Sequence, residues 1–114
     1  MEFEAHDVDL GKRVVFYVYD HGQISHTGDL EGDSAIIQML GALIRQEKPE
    51  WRSSLKTFAP GIKFTGNQYS ITLQPKVFIL NYADKQGKWH QIVRDLAPEK
   101  FSEIKKLLAV HSEK

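Results

Sequence analysis

The sequence predicts an α+β domain in which an antiparallel sheet of about five to six strands packs against two or three helices in two layers. Three observations carry this prediction. Runs of β-branched and aromatic residues alternate with turn signals, two stretches have apolar residues at helical spacing, and the strands of the second half follow one another without helices between them. We expect the order ββ-α(α)-ββββ-α in a single domain over residues 1–114.

Two or three strands are predicted before the first helix. Phe3 and Ala5 alternate with charged or polar neighbours, which is typical of a half-exposed edge strand. The run VVFYVY at 14–19 is too short for a typical helix and ends at the turn signal Asp20-His21-Gly22, so it predicts a buried strand. Residues 23–27 then return as the second arm of a hairpin.

A helix is predicted to follow Gly32-Asp33-Ser34, because an Asp or Ser oxygen can accept hydrogen bonds from the amides of a first helical turn. Apolar residues recur at helical spacing from Ile36 to Ile44. This helix should end before Pro49, which disfavours helical geometry in the residue before it. Pro49 in turn predicts the start of a second short helix whose residues 51, 55 and 58 face inward.

The second half predicts a meander of four strands and a closing helix. Stretches 62–65, 69–74, 77–83 and 88–94 are separated by turn signals, and the third is apolar on both faces, as expected of an interior strand. The closing helix is predicted to begin near Pro98 and to bury four apolar residues, namely Phe101, Ile104, Leu107 and Leu108.

The charges divide unevenly along the chain although the formal net charge is zero. Residues 1–44 carry eight acidic and two basic residues, whereas residues 45–114 carry thirteen basic and seven acidic ones. A field of one sign over part of a surface attracts partners of the opposite sign. The absence of cysteine excludes disulfides and thiolate chemistry, and no signal or membrane segment is visible, so we expect a soluble cytoplasmic protein without a cofactor.

Two arrangements suggest chemistry, and each has a simpler structural interpretation. His6, His21 and His26 lie among carboxylates, as in a small metal-dependent hydrolase, but their spacing matches no established metal motif. A set of aromatic and basic residues on one predicted hairpin suggests a nucleic-acid or small-ligand binding module. These residues are Tyr82, Lys85, Lys88, Trp89, His90 and Arg94. Core packing and a solvated hairpin explain the same residues.

The closing segment resembles small immunity proteins of bacterial polymorphic-toxin and contact-dependent growth inhibition systems. The residues concerned are FILNY at 78–82, GKW at 87–89 and LAPE at 96–99, within a cysteine-free α+β chain. The resemblance implies a non-enzymatic protein that binds and neutralises a cognate toxin domain, often a nuclease. It supplies no site residues.

The acidic residues of the N-terminal part are the predicted contacts with such a toxin, because carboxylates on a folded scaffold can occupy a basic groove. They fall on predicted edges and turns, where a partner can reach them. The candidate partner-binding residues are Asp7, Asp9, Asp20, Asp29, Glu31 and Asp33.

Overall fold

A computed structural model describes residues 10–11, 13–32, 34–45, 51–54 and 61–112. The class is α+β, as predicted. The elements, in chain order, are β1 (Arg13–Asp20), β2 (Gln23–Glu31), α1 (Ala35–Arg45), β3 (Arg52–Ser53), β4 (Ile62–Gly66), β5 (Tyr69–Gln74), β6 (Val77–Ala83), β7 (Trp89–Asp95) and α2 (Pro98–Ser112).

All seven strands of this part of the chain form one antiparallel sheet in the order β2-β1-β4-β5-β6-β7-β3. The sheet therefore has one strand more than the upper predicted number. The additional strand is β3, in which Arg52 pairs with Val93 and Ser53 with Ile92. Two residues are too few to show the alternation from which a strand is predicted. The third strand of the meander, β6, is interior as expected.

The prediction of a short helix from Pro49 is wrong at the residues that the structure describes there, because Arg52–Ser53 is a strand. Trp51 nevertheless faces inward, with its ring edge against Phe78 at 5.5 Å between centroids. The predicted N-terminal strand at Phe3 and Ala5 and the positions Leu55 and Phe58 lie outside the described residues.

Alternation along the strands decides which face of the sheet is packed against the helices. Val14, Phe16 and Val18 of β1 are fully buried, whereas the residues between them are only partly covered. The buried side chains join apolar residues of both helices in one core cluster, to which α1 contributes Leu40 and α2 contributes Ile104 and Leu108. The prediction that Leu107 of α2 is buried is wrong, because its side chain is 40% exposed. We call this side of the sheet the helix face and the opposite side the outer face.

A buried arginine attaches the sheet to α1. Arg94 of β7 is 4% exposed, and its Nη1 donates a hydrogen bond of 2.7 Å to the carbonyl oxygen of Leu43. Carbonyl groups in the last turn of a helix have no partner within the helix, so this bond satisfies one of them. The guanidinium also lies 6.0 Å from the centre of the Trp51 ring. Burial lowers the pKa of Arg94, but an arginine keeps its charge at neutral pH.

Candidate functional site

The first hairpin, β1–β2, has a two-residue turn. Asp20 pairs with Gln23, and the residues between them, His21 and Gly22, have φ of 55° and 78°. Positive φ at both central positions is the geometry of a type I′ turn, whose twist matches that of the two paired strands. The strand β2 then runs along the edge of the sheet, with a bulge opposite Val18 and Tyr19. The hairpin carries every described candidate contact residue of the acidic part.

The strand register separates these acidic residues into two locations. Asp29 lies opposite Val15, and Glu31 lies opposite Arg13, so both side chains are on the outer face near one end of β2. Asp20 is five residues beyond Val15 along β1, about 17 Å away, and its carboxylate is directed to α2. The three described contacts therefore do not form one cluster, and the other three, Asp7, Asp9 and Asp33, lie outside the described residues.

Basic side chains neutralise part of the acidic charge. Arg13 forms an ion pair with Asp29, which raises the pKa of Arg13. Asp20 accepts a hydrogen bond of 3.1 Å from Lys105 of α2. The Ser25 hydroxyl and the Lys105 ammonium lower the pKa of Asp20. Charges that are separated along the sequence are therefore brought together in space where α2 meets the first hairpin.

Two exposed carboxylates, one of them paired with Arg13, lie together on the edge strand. Asp29 and Glu31 are two residues apart, so their side chains project from the same face about 7 Å from each other. Both residues are exposed. We call this pair the acidic edge. A cavity of about 200 Å³, open to solvent, is lined by Leu10, Gly11 and Gly32 together with Gln38 and Arg45 of α1.

The second hairpin, β6–β7, is organised by one carboxylate. Asp84 Oδ1 accepts hydrogen bonds from the backbone amides of Gln86 and Lys88, both at 2.9 Å, and Oδ2 lies 2.8 Å from His90 Nε2. The backbone of Asp84 adds two bonds across the turn, donating to Lys88 at 2.8 Å and accepting from Gly87 at 2.9 Å. The hydrogen bond with His90, followed by that with the Lys88 amide, lowers the pKa of Asp84.

This hairpin exposes a tryptophan directly after a turn that carries two lysines. Trp89 is 57% exposed and pairs with Ala83, and Lys85 and Lys88 are exposed in the same turn. We call Lys85, Lys88 and Trp89 the basic tip. From the sequence this turn is predicted to be solvated, and Asp84 is not among the predicted site residues. The signal was nonetheless present, because an Asp followed by a Gly-containing turn favours side-chain bonds to nearby amides.

The structure divides the proposed nucleic-acid residues into exposed and buried groups. Tyr82 is 6% exposed and stacks on His90, with 5.2 Å between ring centroids and 25° between ring planes. Arg94 is buried against α1. Only the basic tip remains at the surface, so one aromatic ring rather than two or three is available to a ligand.

The histidines predicted as metal ligands lie on different structural features. His21 occupies the first turn, and His26 lies on β2 opposite Val18. Within the described ranges, no group of three or more His, Cys, Asp or Glu residues is arranged to hold a metal ion. His6 lies outside those ranges, so the three-histidine arrangement stays a prediction.

Comparisons with known proteins identify no relative. No family model matches the chain, and no curated protein and no solved structure is significantly similar to it. Neither helix described is long and apolar enough to cross a membrane. Functional inference therefore depends on the surface of this chain alone.

Proposed function

We propose that this chain is an immunity protein that acts in the bacterial cytoplasm by binding a cognate toxin domain, such as a nuclease, and blocking it by contact. The acidic edge is the proposed centre of that contact. The partner would present a basic surface, as nucleic-acid enzymes do. The observation that carries this proposal is the presence of two exposed carboxylates side by side on the edge strand of the sheet.

The ion pair at the acidic edge does not prevent such a contact. The side chains of Arg13 and Asp29 are 71% and 45% exposed, and exposed ion pairs contribute little to the stability of a fold. A lysine or arginine of the toxin can therefore replace Arg13 as the partner of Asp29 at small cost. Glu31, which lies opposite Arg13 in the register, is exposed to the same partner.

A cavity between α1 and the segments at Gly11 and Gly32 offers a protein partner a second point of contact. Its volume of about 200 Å³ is large enough for one side chain, and its lining includes Gly32, which follows Glu31 in the chain. Gln38 and Arg45 supply polar groups along its wall. A toxin side chain seated there would fix the orientation in which basic residues meet the acidic edge.

The test measures how a purified toxin domain binds this chain. A suitable toxin candidate would be the C-terminal domain of a large protein encoded in an adjacent reading frame. We expect the double variant D29N/E31Q to slow association about tenfold at low salt and to make the rate less dependent on salt, because steering by opposite charge acts on the association rate. Stopped-flow fluorescence measures both.

The matched control is D95N/E103Q, which removes the same charge elsewhere. Asp95 and Glu103 are also exposed, and they form ion pairs with Arg52 and Lys100, as Asp29 does with Arg13. We expect this variant to bind as the unchanged protein does. Equal effects of the two double variants would show that net charge, and not the acidic edge, governs binding. Failure of the unchanged protein to bind or inhibit the toxin would contradict the proposed function itself.

A further inference from the structure

We propose that the basic tip is a second protein-binding surface, which inserts the indole of Trp89 into an apolar pocket bordered by carboxylates on an acidic partner. This inference does not depend on the proposed function, because it concerns another hairpin and a partner of opposite charge.

The two tryptophans of the chain show what is unusual about Trp89. Trp51 is partly buried against the core and forms a T-shaped ring pair with Phe78. Trp89 is 57% exposed at the first residue of β7, on the outer face. Burial of an indole against a partner removes a large apolar area from water, and tryptophan is among the residues that most often dominate binding energy at interfaces.

The tip that presents Trp89 is held in one shape before any partner arrives. The three hydrogen bonds to the Asp84 carboxylate connect the turn to the start of β7, and Ala83 is tied to the neighbouring turn by a bond of 3.0 Å from its amide to the carbonyl of Gln68. His90, which follows Trp89, is stacked on buried Tyr82. A surface that is already ordered loses less entropy on binding.

The charge of the tip determines the chemistry of the partner. Lys85 and Lys88 are exposed on either side of Gly87. The carboxylate in the turn, Asp84, already accepts bonds from two amides and faces His90. Two lysines against the one carboxylate of Asp84 leave the tip with a net positive charge, which complements an acidic rim.

The basic tip lies far from the acidic edge in the sheet. Five strand-to-strand steps separate β2 from β7 in the sheet, which corresponds to about 24 Å. A basic groove that attracts Asp29 and Glu31 would repel Lys85 and Lys88. The basic tip is thus suited to a different region of a partner, or to a different partner.

A protein fits the tip better than a nucleic acid does. Proteins that bind single strands stack successive bases on several aromatic rings along a basic groove. Here Tyr82 is buried and Arg94 is bonded to Leu43, so Trp89 is the single exposed ring of the hairpin. One aromatic anchor surrounded by charge is typical of a protein contact.

The test uses a random copolymer of glutamate and tyrosine, labelled with fluorescein, as an acidic polypeptide that also offers apolar side chains. We expect the full chain to bind it at low salt, as measured by fluorescence anisotropy. Trp89→Ala and K85Q/K88Q should each weaken binding at least about tenfold. The control K100Q/K106Q, which removes the same charge from α2, should leave binding nearly unchanged.

Two further ligands distinguish the chemistry. Binding of polyglutamate of the same length should depend on the two lysines but hardly on Trp89, because this polymer offers the indole no apolar surface. A single-stranded oligothymidine should bind more weakly than the copolymer. The proposal is overturned if Trp89→Ala binds the copolymer as tightly as the unchanged chain, if nothing binds the copolymer, or if the oligonucleotide binds more tightly. Urea unfolding of each variant verifies that it is folded.

Discussion

The two hairpins place an aspartate at the same topological position and use it differently. Asp20 ends β1 and Asp84 directly follows β6, and each precedes a turn that contains a glycine with φ near 80°. The Asp20 carboxylate bonds to Lys105 on a distant helix. The Asp84 carboxylate bonds to amides of its own turn.

The length of the turn explains the difference. In the two-residue turn of β1–β2, Gln23 pairs directly with Asp20, so the backbone is already engaged in the ladder. In β6–β7, the amides of Gln86 and Lys88 lie within reach of the carboxylate two and four residues earlier. The same residue type therefore joins two elements in one hairpin and orders a loop in the other.

The largest loss of stability is expected from breaking the contacts that attach each hairpin to a helix. Arg94→Ala should lower the free energy of unfolding by about 3 kcal/mol, because it leaves the buried carbonyl of Leu43 without this donor and removes packing against Trp51. Lys105→Ala should have a much smaller effect, since the Lys105–Asp20 pair is exposed. Urea unfolding followed by tryptophan fluorescence measures both. Equal losses would contradict this difference between the hairpins.

An intermediate effect separates the two aspartates. Asp84→Asn should speed hydrogen exchange at the amides of Gln86 and Lys88, because a neutral amide accepts these bonds more weakly than a carboxylate does. Asp20→Asn should leave the exchange of its own turn nearly unchanged. Comparable acceleration in both turns would show that the carboxylates do not account for the difference. NMR-detected exchange resolves the individual amides.

The pH dependence of stability tests the contribution of the Asp84 carboxylate. The folded-state pKa of Asp84 lies below its ordinary value of 3.8, so its stabilising contribution is fully present above pH 3.8 and is lost as the pH falls through the folded pKa. The difference in unfolding free energy between the unchanged chain and Asp84→Asn should therefore be present at pH 7 and vanish in acid. A difference that persisted below the folded pKa would have another cause.

The smallest effects are expected at the exposed apolar residues, one on each hairpin. Ile24 is 52% exposed and Trp89 is 57% exposed. Substitution of either by alanine should change the free energy of unfolding by no more than about 0.5 kcal/mol, as for most surface positions. Thermal unfolding measures this. A large loss for Trp89→Ala would mean that the indole supports the fold, which would weaken its assignment to a partner.

The strands of the meander could be predicted because alternation and turn residues agree there. The predicted bounds 69–74 and 77–83 coincide with β5 and β6. The strand β2 was predicted to end near Thr27, yet it continues to Glu31. Its later residues, including Gly28 and Asp29, have low strand propensity, and pairing with β1 overrides that propensity.

The candidate surfaces were harder to predict than the fold. The list of acidic residues was available from composition, but their division between two faces depends on the register of β1 against β2 and on the approach of α2. The sequence gives no reason to distinguish the exposure of Arg94 from that of Lys88. Only the packing of β7 against α1 buries the first and leaves the second exposed.

The most direct measurement of the central claim is growth of a bacterial host that makes a toxin candidate from an adjacent reading frame. If the acidic edge neutralises a basic toxin domain, co-expression of this chain should restore growth, and D29N/E31Q should restore it less well than D95N/E103Q when expression is limiting. Growth inhibition that this chain does not relieve, at any level of expression, would contradict the proposed function.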